Sequence, residues 1–152
     1  MTENTNTSRR IVVGVDGSAG SKTALRWAMN QARLSGANLE AVASWQDPVV
    51  YGYGFGYAPT LEEGGSLARV AQNALDATIK EVSASFDHPV PVSTRVEEGP
   101  AAQVLPRVAV GAELLVVGSR GHGAFAGMVL GSVSQHCVQN MSGPVVVIPS
   151  VE

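Results

Sequence analysis

Apolar residues along this chain switch repeatedly between short unbroken runs and runs spaced three or four residues apart, which marks strands alternating with helices. Ile11–Val15 reads as a short apolar strand ending at Asp16. Ala24, Leu25, Ala28 and Ala32 then recur at inward helical spacing, with Ser18 or Ser21 as cap and Gly36 as the closing residue. Leu39–Trp45 is a second strand. Thr60–Glu63 has the form of a capping box ahead of a long stripe: Leu67, Val70, Ala71, Ala74, Leu75, Thr78, Ile79 and Val82. Val90, Val92, Thr94 and Val96 alternate as a third strand. Pro100 opens a short helix, which Pro106 should kink or shorten. Leu114–Val117 is the fourth strand, a fourth helix begins near Gly131, and Val145, Val146, Val147 and Ile148 form the fifth strand. The succession predicts an α/β fold: a single-domain parallel sheet with helices on both faces. Residues 9–152 form that domain, behind a polar lead of residues 1–8 whose Thr, Asn and Ser content predicts disorder.

The turn after the fourth strand carries the candidate chemistry. Gly118 and Gly121 are followed, after nine residues, by Gly131 and Ser132. Glycines leaving a buried strand let backbone N–H groups approach phosphate oxygens, and a helix start adds unpaired donors and the positive end of its dipole. Ser132 would add a hydroxyl at that start. The plainer reading is that the glycines only turn the chain.

Two other glycine clusters are near misses. Gly14, Gly17 and Gly20 are wrongly spaced for a dinucleotide fingerprint, and Asp16 would set a carboxylate where pyrophosphate must sit. A Ser separates Gly20 from Lys22, which spoils a P-loop and leaves Lys22 as a solvated residue of the first helix. If the first and fourth strands are neighbours at the switch point of the sheet, their loops share one crevice. Asp16 would then accept hydrogen bonds from a ribose or base edge; alternatively it is a turn or N-cap aspartate.

Composition narrows the field. With 152 residues, 45% of them hydrophobic and 15% charged, the chain is long and apolar enough for one sizeable core. A net charge of −3 without a basic run argues against nucleic acid as a partner. No apolar stretch reaches the length of a membrane span, and Met1–Arg10 lacks the apolar centre of a signal peptide. The single cysteine, Cys137, excludes an internal disulfide and suits a reducing cytoplasm. His136 beside it makes a metal or catalytic pair conceivable, but no second Cys or spaced His supports one, so Cys137 is read as a buried helix residue.

The pattern G-x2-G-x9-G-[ST] at Gly118, Gly121, Gly131 and Ser132 resembles the nucleotide-binding signature of ATP-binding universal stress proteins. The opening Ile11–Ser18, the segment Ala112–Gly123 and the closing Gly143–Pro149 are similar to that family too, so the likeness runs from about Arg9 to Pro149. It implies a five-stranded, flavodoxin-like sheet in the order 3-2-1-4-5. It also implies ATP, with or without Mg²⁺, and a homodimer through the fifth strands. By position, Gly14 and Asp16 would face adenine or ribose, and the backbone near Ser44, or equally Ala43, would contact adenine. Val117, Gly118, Ser119, Arg120, Gly121, His122, Gly123, Gly131 and Ser132 would surround the ribose and phosphates. Members lacking the glycines do not bind ATP and others prefer cyclic AMP; the intact spacing argues against the first, and cyclic AMP stays as a minority reading.

The dimer has a physical argument of its own. An edge strand as apolar as Val145–Ile148 would aggregate unless paired or covered, either by a second copy or by a loop or tail. Residues 49–59 alternate Tyr or Phe with Gly, the composition of a lid over the nucleotide or of a mobile surface loop. Little here points to dedicated catalysis. Arg120 could neutralise phosphate as a donor fork, and His122 could solvate phosphate or act as a weak base. Glu97 and Glu98 could help hold Mg²⁺, or be a solvated turn. A nucleotide-dependent regulatory protein of the stress response is therefore favoured, with a slow ATP hydrolase, or a nucleotidyl-transferring enzyme on the same fold, as the alternative.

Overall fold

The computed structural model of the chain describes residues 9–47, 62–120 and 130–149. The elements run β1 (Arg10–Gly14), α1 (Ala19–Ser35), β2 (Asn38–Trp45), α2 (Glu62–Ser83), β3 (Val92–Glu98), α3 (Ala101–Val108), β4 (Leu114–Gly118), α4 (Ser132–Asn140) and β5 (Val145–Ile148). All neighbouring strands pair parallel, in the order β3-β2-β1-β4-β5. This is the expected flavodoxin-like order, with β1 and β4 side by side at its centre.

Side chains alternate across the sheet, so each strand serves two cores. Ile11, Val13, Leu39, Ala41 and Val116 pack against Ala24, Leu25, Ala28 and Met29 of α1 and Leu75 and Val82 of α2. On the opposite face Val12, Val42, Leu115 and Val117 pack against Val104 and Leu105 of α3 and Cys137 of α4. Burial on both faces explains why β1 and β4 read as unbroken apolar runs. It also pushes the Cys137 thiol up to about 11 by desolvation. Cys137 is thus the buried helix residue expected, and its thiol is inert at neutral pH.

Local signals account for most element ends. Ser18 is the N-cap of α1 and accepts from the Ser21 N–H, while Gly36 closes the helix at φ 79°. α3 passes through Pro106 but ends two residues later, at Val108, consistent with the loss of one helical donor.

Two expectations need correction. The third strand starts at Val92, not Val90, because Pro91 has no N–H and pairing with β2 begins at Leu39 opposite Val92. At its other end β3 pairs with β2 as far as Glu98, which keeps Glu97 and Glu98 in the strand at its close. The stripe on α2 is buried only toward its C-terminal end, at Leu75, Thr78 and Val82; Val70 is 62% exposed and Ala74 is exposed too. The helix still reaches β3 at Gln72, whose Nε2 donates to Thr94 Oγ1 at 3.2 Å, so Val70 and Ala74 lie on a side of α2 turned from the sheet. The polar lead, Thr60 and the Tyr/Gly segment 49–59 lie outside the described residues.

Candidate functional site

At the C-terminal ends of β1 and β4 the chain leaves the sheet toward opposite faces: α1 packs with α2 on one side, α3 with α4 on the other. That is the switch point of a doubly wound sheet, where a crevice opens above the strand ends. The end of β4 meets the start of α1 there. A Cβ placed on Gly118 would lie 3.0 Å from both the carbonyl carbon and the oxygen of Gly20, so glycine suits this approach of backbones and a larger residue would force them apart.

The β1 loop is built around Asp16. Its Oδ1 accepts from the N–H of Ser18, at 2.9 Å, and from the Ser18 hydroxyl. Ser18 Oγ in turn accepts from the N–H of Ser21, and Ser21 Oγ accepts from the N–H of Asp16. Asp16 therefore performs the turn role considered above, holding the cap that starts α1, while its side chain stays exposed at the crevice. Gly14 has a structural reason as well: a Cβ there would come within 2.7 Å of Leu105 Cδ1 on α3.

Ser44 and Ala43 lie on opposite faces of β2. Ala43 packs against the α1 core. Ser44 shares a face with Val42 and sits opposite Glu97. The last β1–β2 pair is Gly14 with Val42, so Asp16 and Ser44 each lie two residues beyond it, at one level above the sheet.

Around β4, Val117 is buried among Val104, Leu105 and Cys137, which leaves only its backbone to face a ligand. Ser119 is buried and anchored on both sides. Its N–H donates to the Ile148 carbonyl of β5 at 2.8 Å. Its carbonyl accepts from the N–H of Gly131 at 2.6 Å and from the hydroxyl of Ser134 at 2.9 Å. Residues 119 and 131 are thus held together at one neck. Arg120 is half-buried beside it. Gly121, His122 and Gly123 lie outside the described residues.

Gly131 is the N-cap of α4, in extended conformation, and has no side chain to satisfy the first N–H groups of the helix. Ser132, the first helical residue, is exposed. A helix start of this kind, beside a crevice, presents donors and positive dipole to an anion.

Glu97 is unsuited to hold a cation. Its carboxylate is shared by Arg95 at 3.6 Å and Arg107 at 3.7 Å. Glu40 bridges Arg10 and Arg95, and this pairing raises the pKa of Arg95 above its ordinary value. Among the described residues no group of three His, Cys, Asp or Glu side chains could hold a metal ion. Nor is any described helix long and apolar enough to cross a membrane. Lys22 lies in the first turn of α1, partly exposed, where it pairs with Glu81 at 3.1 Å.

Sequence reasoning missed Gly20 and Ser134. Gly20 matters only through a contact 98 positions away in sequence. Ser134 carried one faint signal, a Ser three residues after the helix-starting Gly131.

Comparison with known proteins gives a consistent answer. A model of the universal stress protein family matches residues 7–149. A universal stress protein of Mycolicibacterium smegmatis is 36% identical over 145 residues, covering 91% of this chain and 45% of that protein. The chain therefore spans about half the length of the curated relatives it matches. Among solved structures, a universal stress protein in complex with cAMP is 25% identical, with a TM-score of 0.58 over 93% of this chain and 96% of its own. A second, from Archaeoglobus fulgidus in complex with dAMP, is 21% identical, with a TM-score of 0.59 over 92% and 97%.

Proposed function

We propose that this chain, which belongs to the universal stress protein family, is an ATP-binding regulatory protein of the stress response that acts in the cytoplasm as a homodimer. The observation that carries the reading is the uncapped start of α4, held beside the β4 exit at the switch point of the sheet. ATP suits this arrangement. The first N–H groups of α4, the Ser132 hydroxyl and the glycines at 118, 121 and 123 would receive phosphate, with Gly131, whose N–H is held by the Ser119 carbonyl, leaving room for it and Arg120 and His122 adding charge or hydrogen bonds. The backbones of Val117 and Ser119 would line the ribose side. Asp16, with its exposed carboxylate, would accept from a ribose hydroxyl or base edge, and the backbones of Gly14 and Ser44 would border the adenine.

Mg²⁺, if it accompanies ATP, would be held through the phosphates and water, because Glu97 is occupied by two arginines. With Asp16 on the ribose side and His122 solvating phosphate, occupancy rather than turnover is the output in this reading. A second reading, cyclic AMP as the ligand, is favoured by the relative solved with cAMP. The homodimer would form along β5, whose four residues are each only half-buried and which, among the described residues, pairs with β4 alone.

Calorimetric titration with ATP, ADP and cyclic AMP tests the ligand. Micromolar ATP binding, lost in Gly121→Asp, supports the proposal, and preferential cyclic AMP binding supports the second reading. Absence of binding heat for all three would overturn both.

A further inference from the structure

The neck of the β4–α4 loop depends on a side chain outside the glycine signature. Ser134 is 2% exposed and sits at the third position of α4. Its hydroxyl oxygen lies within hydrogen-bond reach of two carbonyls, that of Ser119 at 2.9 Å, the shorter contact, and that of Gly131 at 3.1 Å. The Ser119 carbonyl also receives the Gly131 N–H at 2.6 Å. Two donors from the α4 side therefore converge on one acceptor at the end of β4, across a sequence separation of 15 residues.

This arrangement has two consequences for an anion at the loop. It joins the strand exit to the helix start, so the donors of both belong to one preorganised unit. It also engages the Ser119 carbonyl. A carbonyl oxygen directed at a phosphate would repel it, whereas one bound by two donors is held toward α4 and its negative end is compensated.

We infer that Ser134 is a positioning residue for phosphate: its buried hydroxyl clasps the Ser119 carbonyl and keeps the loop neck shaped for the phosphoryl groups of a nucleotide. The inference rests on the ATP-binding reading above and adds to it a residue that touches no ligand. Because the clasp acts through the loop, its loss weakens ligands with phosphates and spares those without.

Titrate wild type, Ser134→Ala, Ser134→Thr and Ser134→Cys with ATP and with adenosine, and follow backbone amide exchange of Gly131 without nucleotide. Losing one hydrogen bond at a buried neck should weaken ATP about fivefold to tenfold in Ser134→Ala, with adenosine affinity changed by less than about twofold. Gly131 exchange should quicken in the same variant. Ser134→Thr, which keeps the hydroxyl, should restore both. If Ser134→Ala loses its cooperative melt, Ser134→Cys, close in volume and a weaker donor, takes its place. A purely structural serine would lower the melting temperature and move ATP and adenosine together or not at all; either result overturns the inference. If wild type itself binds no ATP, the nucleotide reading fails first and this inference falls with it. ATP binding that is equal in wild type and Ser134→Ala refutes the clasp alone.

Discussion

Substituting Gly118 by alanine tests whether the end of β4 and the start of α1 touch as closely as the structure places them. The added Cβ would sit 3.0 Å from the carbonyl carbon and oxygen of Gly20, and 3.5 Å from the Arg120 oxygen. Gly118 is not among the glycines with positive φ, so alanine can adopt its backbone and the whole effect is steric. Gly20 is main chain at the start of α1 and cannot rotate aside. The end of β4 and the start of α1 must therefore part by about 0.4 Å to reach the 3.4 Å at which ordinary contact begins. Overpacking of this kind costs about 2 kcal/mol. For a domain of this size that corresponds to a melting temperature lower by about 4–8 °C. Gly143→Ala is the control. Its Cβ would meet nothing closer than 3.8 Å and its φ is also ordinary, so it should be neutral or stabilise by about 0.4–1 kcal/mol. Scanning calorimetry of the two variants reads stability, and titration with ATP reads the crevice. Gly118→Ala should melt lower and bind ATP more weakly. A melt within about 1 °C of Gly143→Ala would refute the claim that backbone contact at this point requires glycine.

Three further outcomes are expected. Asp16→Asn keeps an Oδ1 acceptor for Ser18, so its melt should match wild type, while ATP affinity falls several-fold through loss of a charged acceptor. Asp16→Ala should also destabilise, by about 1 kcal/mol. Unchanged ATP affinity in Asp16→Asn would confine that residue to its turn. Cys137 titrates higher in the folded state, about 11 against 9.0, so the unfolded chain releases its proton first. Its contribution is full below pH 9 and is lost as pH rises toward 11, by roughly 2–3 kcal/mol in all; Cys137→Ala should abolish that slope in melts across this range. Along β5, the Ile148 carbonyl faces β4, so the N–H of Val147 points to the open edge. Val147→Pro should give a folded monomer by sedimentation, and a persisting dimer would show that copies associate elsewhere.

Much of the fold was legible because its signals are local. The period of apolar residues marked the five strands and four helices, and Ser18 and Gly36 carried the ends of α1 in their own chemistry. Errors arose where a neighbour decided the outcome. Val70 and Ala74 carry the right spacing for burial, yet α2 turns Leu75, Thr78 and Val82 to the core and leaves these two outside it. Glu97 resembled a spare carboxylate until β3 and α3 set Arg95 and Arg107 beside it.

By itself the sequence determined the parallel α/β class, the glycine-rich exit from β4 and the family likeness, since periodicity, turn chemistry and motif spacing are properties of adjacent residues. Only the tertiary structure decided that Gly118 needs to be glycine because of Gly20, that Gly14 makes room for Leu105, and that Ser134 closes the neck of the loop. Each of these is a contact between residues distant in sequence. Such contacts depend on how the strands are ordered and how the helices lie on them, and no local pattern encodes those distances.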